Sequence, residues 1–354
     1  MPGIPSAKKE FFAPLQGLRG IAVLYVLLSH LGNAGLFLLP VPHDAIGKVG
    51  VWIFFSLSAF LLTTHLVRYL SATSLNTLPV LQYAIHRVFR IYPMYFTVLI
   101  LHVFINNFSL NEVTDHLLLL EGRRELWAIP VEFQYYFAIP VISILAVRLS
   151  RIWVYLLIAA LLGASVSYGI YRPETVFSNG LNILPKLCPF LLGSFLALVL
   201  HHQTLSRLKA SWGASTLILF LSVAGLSVAT FFYQCRATSC ITVSQLPWLS
   251  VLLGLSVAGL IYSVQQPNLI SKALSMKPLV YVGEISFSVY LLHLPIIRLV
   301  MTYTDFPSFV AAWTALILSI VIASITYRLI ERQGMIAGKV ISQRIIGQNF
   351  IKAA

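Results

Sequence analysis

Ten apolar stretches, most of them close to twenty residues long, follow one another along the chain with no long polar segment between them. They lie near residues 15–31, 50–67, 89–106, 132–148, 152–170, 185–201, 212–233, 246–264, 279–299 and 308–328. A bilayer core about 30 Å thick takes about 20 residues of helix to cross. Lipid offers no hydrogen bonds, so each spanning segment must satisfy its own backbone, as a helix does. The fold class this predicts is all-α: a polytopic transmembrane bundle of about ten spans. Composition excludes the alternatives. Only 10% of the 354 residues are charged and 58% are hydrophobic, where a soluble domain carries about 25% charged residues. A mean hydropathy of +0.86 leaves neither a polar surface for a soluble core nor the polarity of a disordered chain. Residues 1–14 read as a cytoplasmic N-terminal segment, 15–333 as one membrane domain and 334–354 as a cytoplasmic tail. The first apolar run lacks a small-residue cleavage site after it, which marks an uncleaved helix rather than a removable signal peptide.

Orientation follows from Lys and Arg, which concentrate on the cytoplasmic side. Placing both termini in the cytoplasm puts seventeen of the 24 basic residues inside and leaves Lys48, Arg123, Arg124, Arg172, Lys186, Arg236 and Arg298 outside or near the outer ends. The net charge of +13 is thereby explained as topology, and no nucleic-acid partner is called for. Cysteine is sparse, so neither a disulfide framework nor a zinc site organises the chain. Cys235 and Cys240 share an outward loop in this orientation, where a short disulfide and two free thiols are both open readings.

Ionisable side chains inside spans are costly and face the bundle interior, which makes them candidates for function. Arg19 and His30 share the first run. Eleven helical steps raise His30 by roughly 16 Å and return it to within about 20° of the azimuth of Arg19, so both are expected to point into one cavity, Arg19 at its inner rim and His30 about midway. An imidazole exchanges protons near neutrality; a packed histidine bonded to a backbone carbonyl is the alternative. Arg87 and Arg90, three apart, share a helix face and suit a phosphate or pyrophosphate as planar forks, or else anchor a helix at the interface. Pro93 stands near the start of that span, where it is tolerated and can kink the segment. Glu132 opens the fourth run near its outer end, either as partner to an imidazole or substrate hydroxyl or as a simple helix cap. Ser286, Tyr290 and His293 fall at i, i+4 and i+7, one helical stripe that bonds neighbouring helices or lines a polar route beside His30. His65 and His102 have nothing adjacent to recommend them and read as packing or interfacial residues.

Taken in order, these segments resemble the acyltransferase family 3 integral membrane proteins. Leu15-Gln16-Gly17-Leu18-Arg19-Gly20 is similar to the family's opening, and Arg19 with His30 fits its Arg-x10-His spacing. Gly50 to Phe60 resembles its second-helix pattern, and Arg87-x-x-Arg90 its Arg-x-x-Arg motif. Trp127 to Glu132, Ser286 to His293 and Tyr327 to Glu331 follow in turn. The chain departs from the pattern at Ser58-Ala59-Phe60, where the family has Ser-Gly-Phe, and at Arg332-Gln333, where a proline is common. The resemblance implies transfer of an acyl group, often acetyl, from cytoplasmic acyl-CoA to a hydroxyl of a surface glycan or lipid-linked glycan, in the inner membrane of a bacterium. It implies His30 as the catalytic residue, as general base or through an acyl-His intermediate, with Glu132 positioning the acceptor or the imidazole. Arg19, Arg87 and Arg90 would hold the CoA phosphates, and Ser286, Tyr290 and His293 would support the substrate or the thioester oxygen. Acyl-CoA enters as co-substrate, with no metal or other cofactor expected, and membrane lipid surrounds the whole. A transporter or flippase of a glycan or small polar substrate, or a purely structural scaffold, would also bury polar groups among ten spans, but would transfer no acyl group.

Overall fold

The structure, a computed structural model, describes residues 6–38, 46–72, 78–105, 108–176, 178–202, 212–237 and 248–353. Among these, every ordered element is helical. In chain order they are α1 (Ser6–Asn33), α2 (Gly47–Ala72), α3 (Leu78–Phe104), α4 (Leu110–Leu117), α5 (Ala128–Arg148), α6 (Arg151–Tyr171), α7 (Pro173–Val176), α8 (Leu187–His201), α9 (Trp212–Ala237), α10 (Trp248–Ser263), α11 (Leu269–Leu274), α12 (Lys277–Glu284), α13 (Ser286–Tyr303), α14 (Ser308–Thr326) and α15 (Arg332–Ala353). Nine helical stretches among the described residues are long and apolar enough to cross a membrane, and Trp248–Ser263 is a shorter apolar helix. The described residues of each of the ten apolar runs lie mainly on helix. Cys240 and the side chain of Cys235 lie outside the described residues.

Helix boundaries differ from the sequence reading, with consequences for the site at three of them. The third helix begins at Leu78 rather than near 89, so Arg87 and Arg90 stand well inside it instead of at its start. The run at 279–299 is broken: α12 ends at Glu284, Ile285 turns, and the spanning helix α13 starts at Ser286. Hydropathy does not register such a break, because both pieces are apolar. The tenth run continues as helix through a π turn at Tyr327–Glu331 into α15. At 1.5 Å per residue the stretch Ser308–Ile345 is roughly 57 Å long, which carries its end beyond a hydrocarbon layer about 30 Å thick.

Helix α2 sits at the centre, packed against α1, α3, α5, α8 and α10. Lipid tails are as apolar as leucine, so close packing and buried hydrogen bonds hold membrane helices together. Ser56 Oγ donates to the Pro189 carbonyl at 2.9 Å. The Ser194 hydroxyl on α8 meets both Thr63 of α2 and Tyr135 of α5 at 2.8 Å. Rim helices present apolar side chains outward, among them Ile152 and Leu156 on α6, Phe220 on α9 and Ile317 and Val321 on α14.

Two close approaches set the helices that carry the site. On α12, a Cβ at Gly283 would fall on the Gln16 carbonyl of α1, so only glycine lets these backbones meet. On α3, Pro93 lacks an N–H and leaves the Phe89 carbonyl without its helical partner. Gly334 of α15 lies directly against that carbonyl and the proline ring. The α3–α15 contact continues through His86 Nε2 and Ser342 Oγ at 3.0 Å. Gly283→Ala is expected to destabilise the detergent-solubilised protein by about 1–3 kcal/mol through overpacking, read as a lowered thermal midpoint; an unchanged midpoint would show that α1 and α12 can separate freely.

Candidate active site

Helices α1 and α13 run side by side and are joined twice by polar contacts. Arg19 donates to Ser286 Oγ at 3.4 Å. Eleven residues further along α1, His30 Nδ1 lies 2.9 Å from His293 Nε2, with ring centroids 4.8 Å apart. The stripe Ser286, Tyr290, His293 thus faces α1 along its length, and all three residues are buried.

The first contact borders a cavity of about 60 Å³ lined by Arg19, Arg87, Arg90, Glu132, Ser286 and Tyr290, with Phe54, Phe55 and Tyr136 among its apolar walls. Arg87 and Arg90 therefore share a face, as their spacing requires. A second cavity of about 290 Å³ lies beyond the same guanidiniums and adds Arg68, His65 and His201. Both Arg19 Nε and Arg87 Nε are buried without a hydrogen-bond partner among the described residues. Buried donors are normally satisfied, so two donors of residues lining this cavity stand open. Three guanidiniums here face two carboxylates. One is Glu132, and the other is Glu331, which the sequence reading assigned no role at the site. Glu331 is fully buried, lies 3.9 Å from Arg90 and accepts from Ser288 Oγ at 2.7 Å. The π turn that ends the last span rotates it inward while Arg328, Leu329 and Arg332 face out. π turns often sit at functional sites for this reason.

His30 lies elsewhere. It lines a separate cavity of about 480 Å³ near the C-terminal ends of α1 and α13, together with Asn33, Arg124, Leu294, Ile297 and Arg298. The expectation of one cavity shared with Arg19 is corrected. Azimuth alone does not say where side chains of α13 meet α1, here at Ser286 and His293. Glu132, placed by the sequence at the outer end of α5, instead faces the three arginines, and His30 is oriented by His293. The orientation of the pair follows from hydrogen bonding. His293 Nδ1 lies 2.6 Å from the Tyr290 carbonyl, and a carbonyl only accepts, so the proton of neutral His293 is on Nδ1. Its Nε2 then accepts from His30 Nδ1–H, and the His30 ring also hydrogen-bonds the backbone of Val26, one turn earlier on α1. These tautomers are assigned from the hydrogen-bond network.

The segment between α4 and α5 closes this end. Glu125 is buried and lies 3.6 Å from His102, a histidine the sequence had left as packing. The Glu125 carbonyl accepts from the Tyr290 hydroxyl at 2.5 Å. Tyr290 therefore touches both halves: its ring side lines the guanidinium cavity, and its carbonyl fixes His293. The segment is braced by α4, whose capping box pairs Ser109 with Glu112. The Ser109 backbone N–H, at 2.6 Å, holds the Glu112 carboxyl below the usual carboxylate range. Arg123 pairs with both Glu112 and Glu121.

A sequence family described as an acyltransferase domain, acyltransferase family 3, matches residues 13–328. The chain belongs to this family. It is also 26% identical over 307 residues to a protein of Acidianus two-tailed virus named "Putative acetyltransferase ORF330", with 81% of this chain and 84% of that one covered. No solved structure gives a significant match. The protein is an acyltransferase with an all-α, membrane-embedded fold, so neither a carrier without transfer nor a scaffold accounts for it.

Replacing Glu331 with Ala is expected to cost about 1–3 kcal/mol, because the Ser288 hydroxyl loses its buried acceptor and Arg90 its ion-pair partner. Glu331→Gln should retain more of this stability than Ala, since an amide oxygen still accepts from Ser288. Thermal unfolding of the two variants side by side checks the ranking.

Proposed function

We propose that this acyltransferase moves an acyl group, most simply acetyl, from cytoplasmic acyl-CoA to a hydroxyl of a surface glycan or glycolipid. In this reading both termini face the cytoplasm, and the protein resides in a cytoplasmic membrane. The observation that carries it is the double link between α1 and α13, an anion-binding arginine at one end and a relayed imidazole at the other.

Arg87 and Arg90, with Arg19 at the rim, bind the CoA phosphates. Planar forks fit phosphate oxygens in bidentate fashion, and the unpartnered Nε donors of Arg19 and Arg87 supply further bonds. Glu132 and Glu331 keep the guanidiniums oriented and limit their mutual repulsion. The pantetheine arm runs from there along α13 past Ser286 and Tyr290, bringing the thioester towards His30. His30 Nε2 takes the proton of the acceptor hydroxyl as the oxygen attacks the thioester carbonyl. A C–O bond forms, the C–S bond breaks, and the leaving thiolate takes up the proton to give free CoA. His293 supports the imidazolium that His30 becomes, because its Nε2 lone pair accepts from Nδ1–H throughout. General base catalysis of this kind contributes roughly 10²–10⁴-fold.

Membranes holding the protein, supplied with acetyl-labelled CoA, are expected to pass label to a glycan. His30→Ala should lower transfer by roughly 10²–10⁴-fold with insertion intact, and near-normal transfer by that variant would remove His30 from the chemistry. Arg87→Ala and Arg90→Ala should raise KM for acyl-CoA before kcat falls; unchanged donor affinity would place the CoA site elsewhere.

A further inference from the structure

Seven basic residues fall on the outward side in the orientation that the Lys and Arg distribution favours, and an outward basic residue runs against that rule. Most are engaged within the chain. Lys48 reaches the Ser178 carbonyl at 3.3 Å and the Asn179 side chain, with its ammonium 4.2 Å from the centroid of Trp127. Lys186 donates to the carbonyls of Gly180 and Asn182 at 2.8 and 3.0 Å. Arg123 holds Glu112 and Glu121, and Arg172 lies 4.0 Å from Glu174. The side chain of Arg236 is outside the described residues. Arg124 and Arg298 remain, both exposed and neither in an ion pair or hydrogen bond among the described residues. Both line the cavity of His30.

That cavity is built for one sign of charge. Among the described residues no Asp or Glu lines it; its polar wall is His30, Asn33, Thr302 and the two guanidiniums, and Leu294, Ile297 and Met301 supply an apolar side. Arg124 is held there against its backbone preference, with φ at +51°, a left-handed conformation that non-glycine residues keep only where their surroundings enforce it. The enforcing contacts flank it directly: the ion pairs of Arg123 on one side, and on the other Glu125, with its carbonyl bonded to Tyr290. Two unpaired guanidiniums lining the same cavity as the His30 imidazole fit an anion placed next to a hydroxyl.

We propose that this cavity is the acceptor site, and that it selects an acceptor carrying a carboxylate or phosphate group close to the hydroxyl that receives the acyl group. Arg124 and Arg298 bind the anion, and the apolar wall takes the less polar part of the acceptor. The assignment rests on His30 as the base that receives the acceptor proton.

The test is direct binding to the full chain in phosphatidylcholine nanodiscs, with labelled octyl glucuronide, octyl glucoside and octyl phosphate as probes. The glucuronide should bind at least about ten-fold more tightly than the glucoside, as a charge-assisted contact predicts. That preference should collapse in R124Q/R298Q, survive largely in R124K/R298K, and be unaffected by R172Q on the same side. Equal affinity for glucuronide and glucoside, or a preference that persists in R124Q/R298Q, would overturn the proposal. Octyl phosphate binding as tightly as the glucuronide supports the site and assigns it to a lipid-borne phosphate; weaker binding than the glucuronide supports it and assigns it to an acidic sugar. Failure of the proposed acyl-CoA-to-glycan reaction reads out separately, as anion-selective binding with no label passing from acetyl-labelled CoA to any hydroxyl.

Discussion

A polar side chain in hydrocarbon must find a partner or face a cavity, since no water is there to solvate it. The contact between α1 and α13 meets that constraint with two bonds, Arg19 to Ser286 and His30 to His293. Each bond satisfies a costly group and at the same time aims it. The arginine is held where α3 brings two further guanidiniums, and the imidazole is held against His293. The remaining features of the site depend on this pairing. α12 docks on α1 through Gly283 and so fixes where α13 begins. Tyr290 spans the interval between the two bonds, with its hydroxyl tied to the Glu125 carbonyl and its own carbonyl to His293.

Separating the cationic end from the imidazole end has a chemical consequence. A donor with several phosphates needs a strongly positive site, whereas a general base is weakened by cations packed against it. Distance along the helix separates Arg19, Arg87 and Arg90 from His30, and Glu132 and Glu331 stand among those arginines; the cations lining the cavity of His30, Arg124 and Arg298, are exposed. The two ends also open into different cavities, as the proposed separation of donor and acceptor sites requires.

Much of the site was legible because the rule that exposes it is simple: an ionisable residue in an apolar run is there for a reason. It picked out Arg19, His30, Arg87, Arg90 and the Ser286–His293 stripe by position and spacing. Glu331 obeys the same rule, but the apolar run ends at 328, where hydropathy falls, so the sequence marks it only through the closing segment Tyr327 to Glu331, although the helix continues. Glu125 lay between runs, where a carboxylate looks solvated; its burial follows from how the α4–α5 segment folds back over His102 and Tyr290. The break at Ile285 left no mark on hydropathy either, since the residues on both sides are apolar.

The sequence by itself determined the all-α membrane fold and the helices bearing the reactive groups, because helical period and hydrophobic length are local properties of a chain. Only the tertiary structure decided which groups meet. That Glu132 joins the arginines, that His30 takes its orientation from His293, and that Arg124 and Arg298 flank the imidazole depend on how helices far apart in sequence pack. No periodicity within one segment carries that information, because a contact is set jointly by the two surfaces that form it.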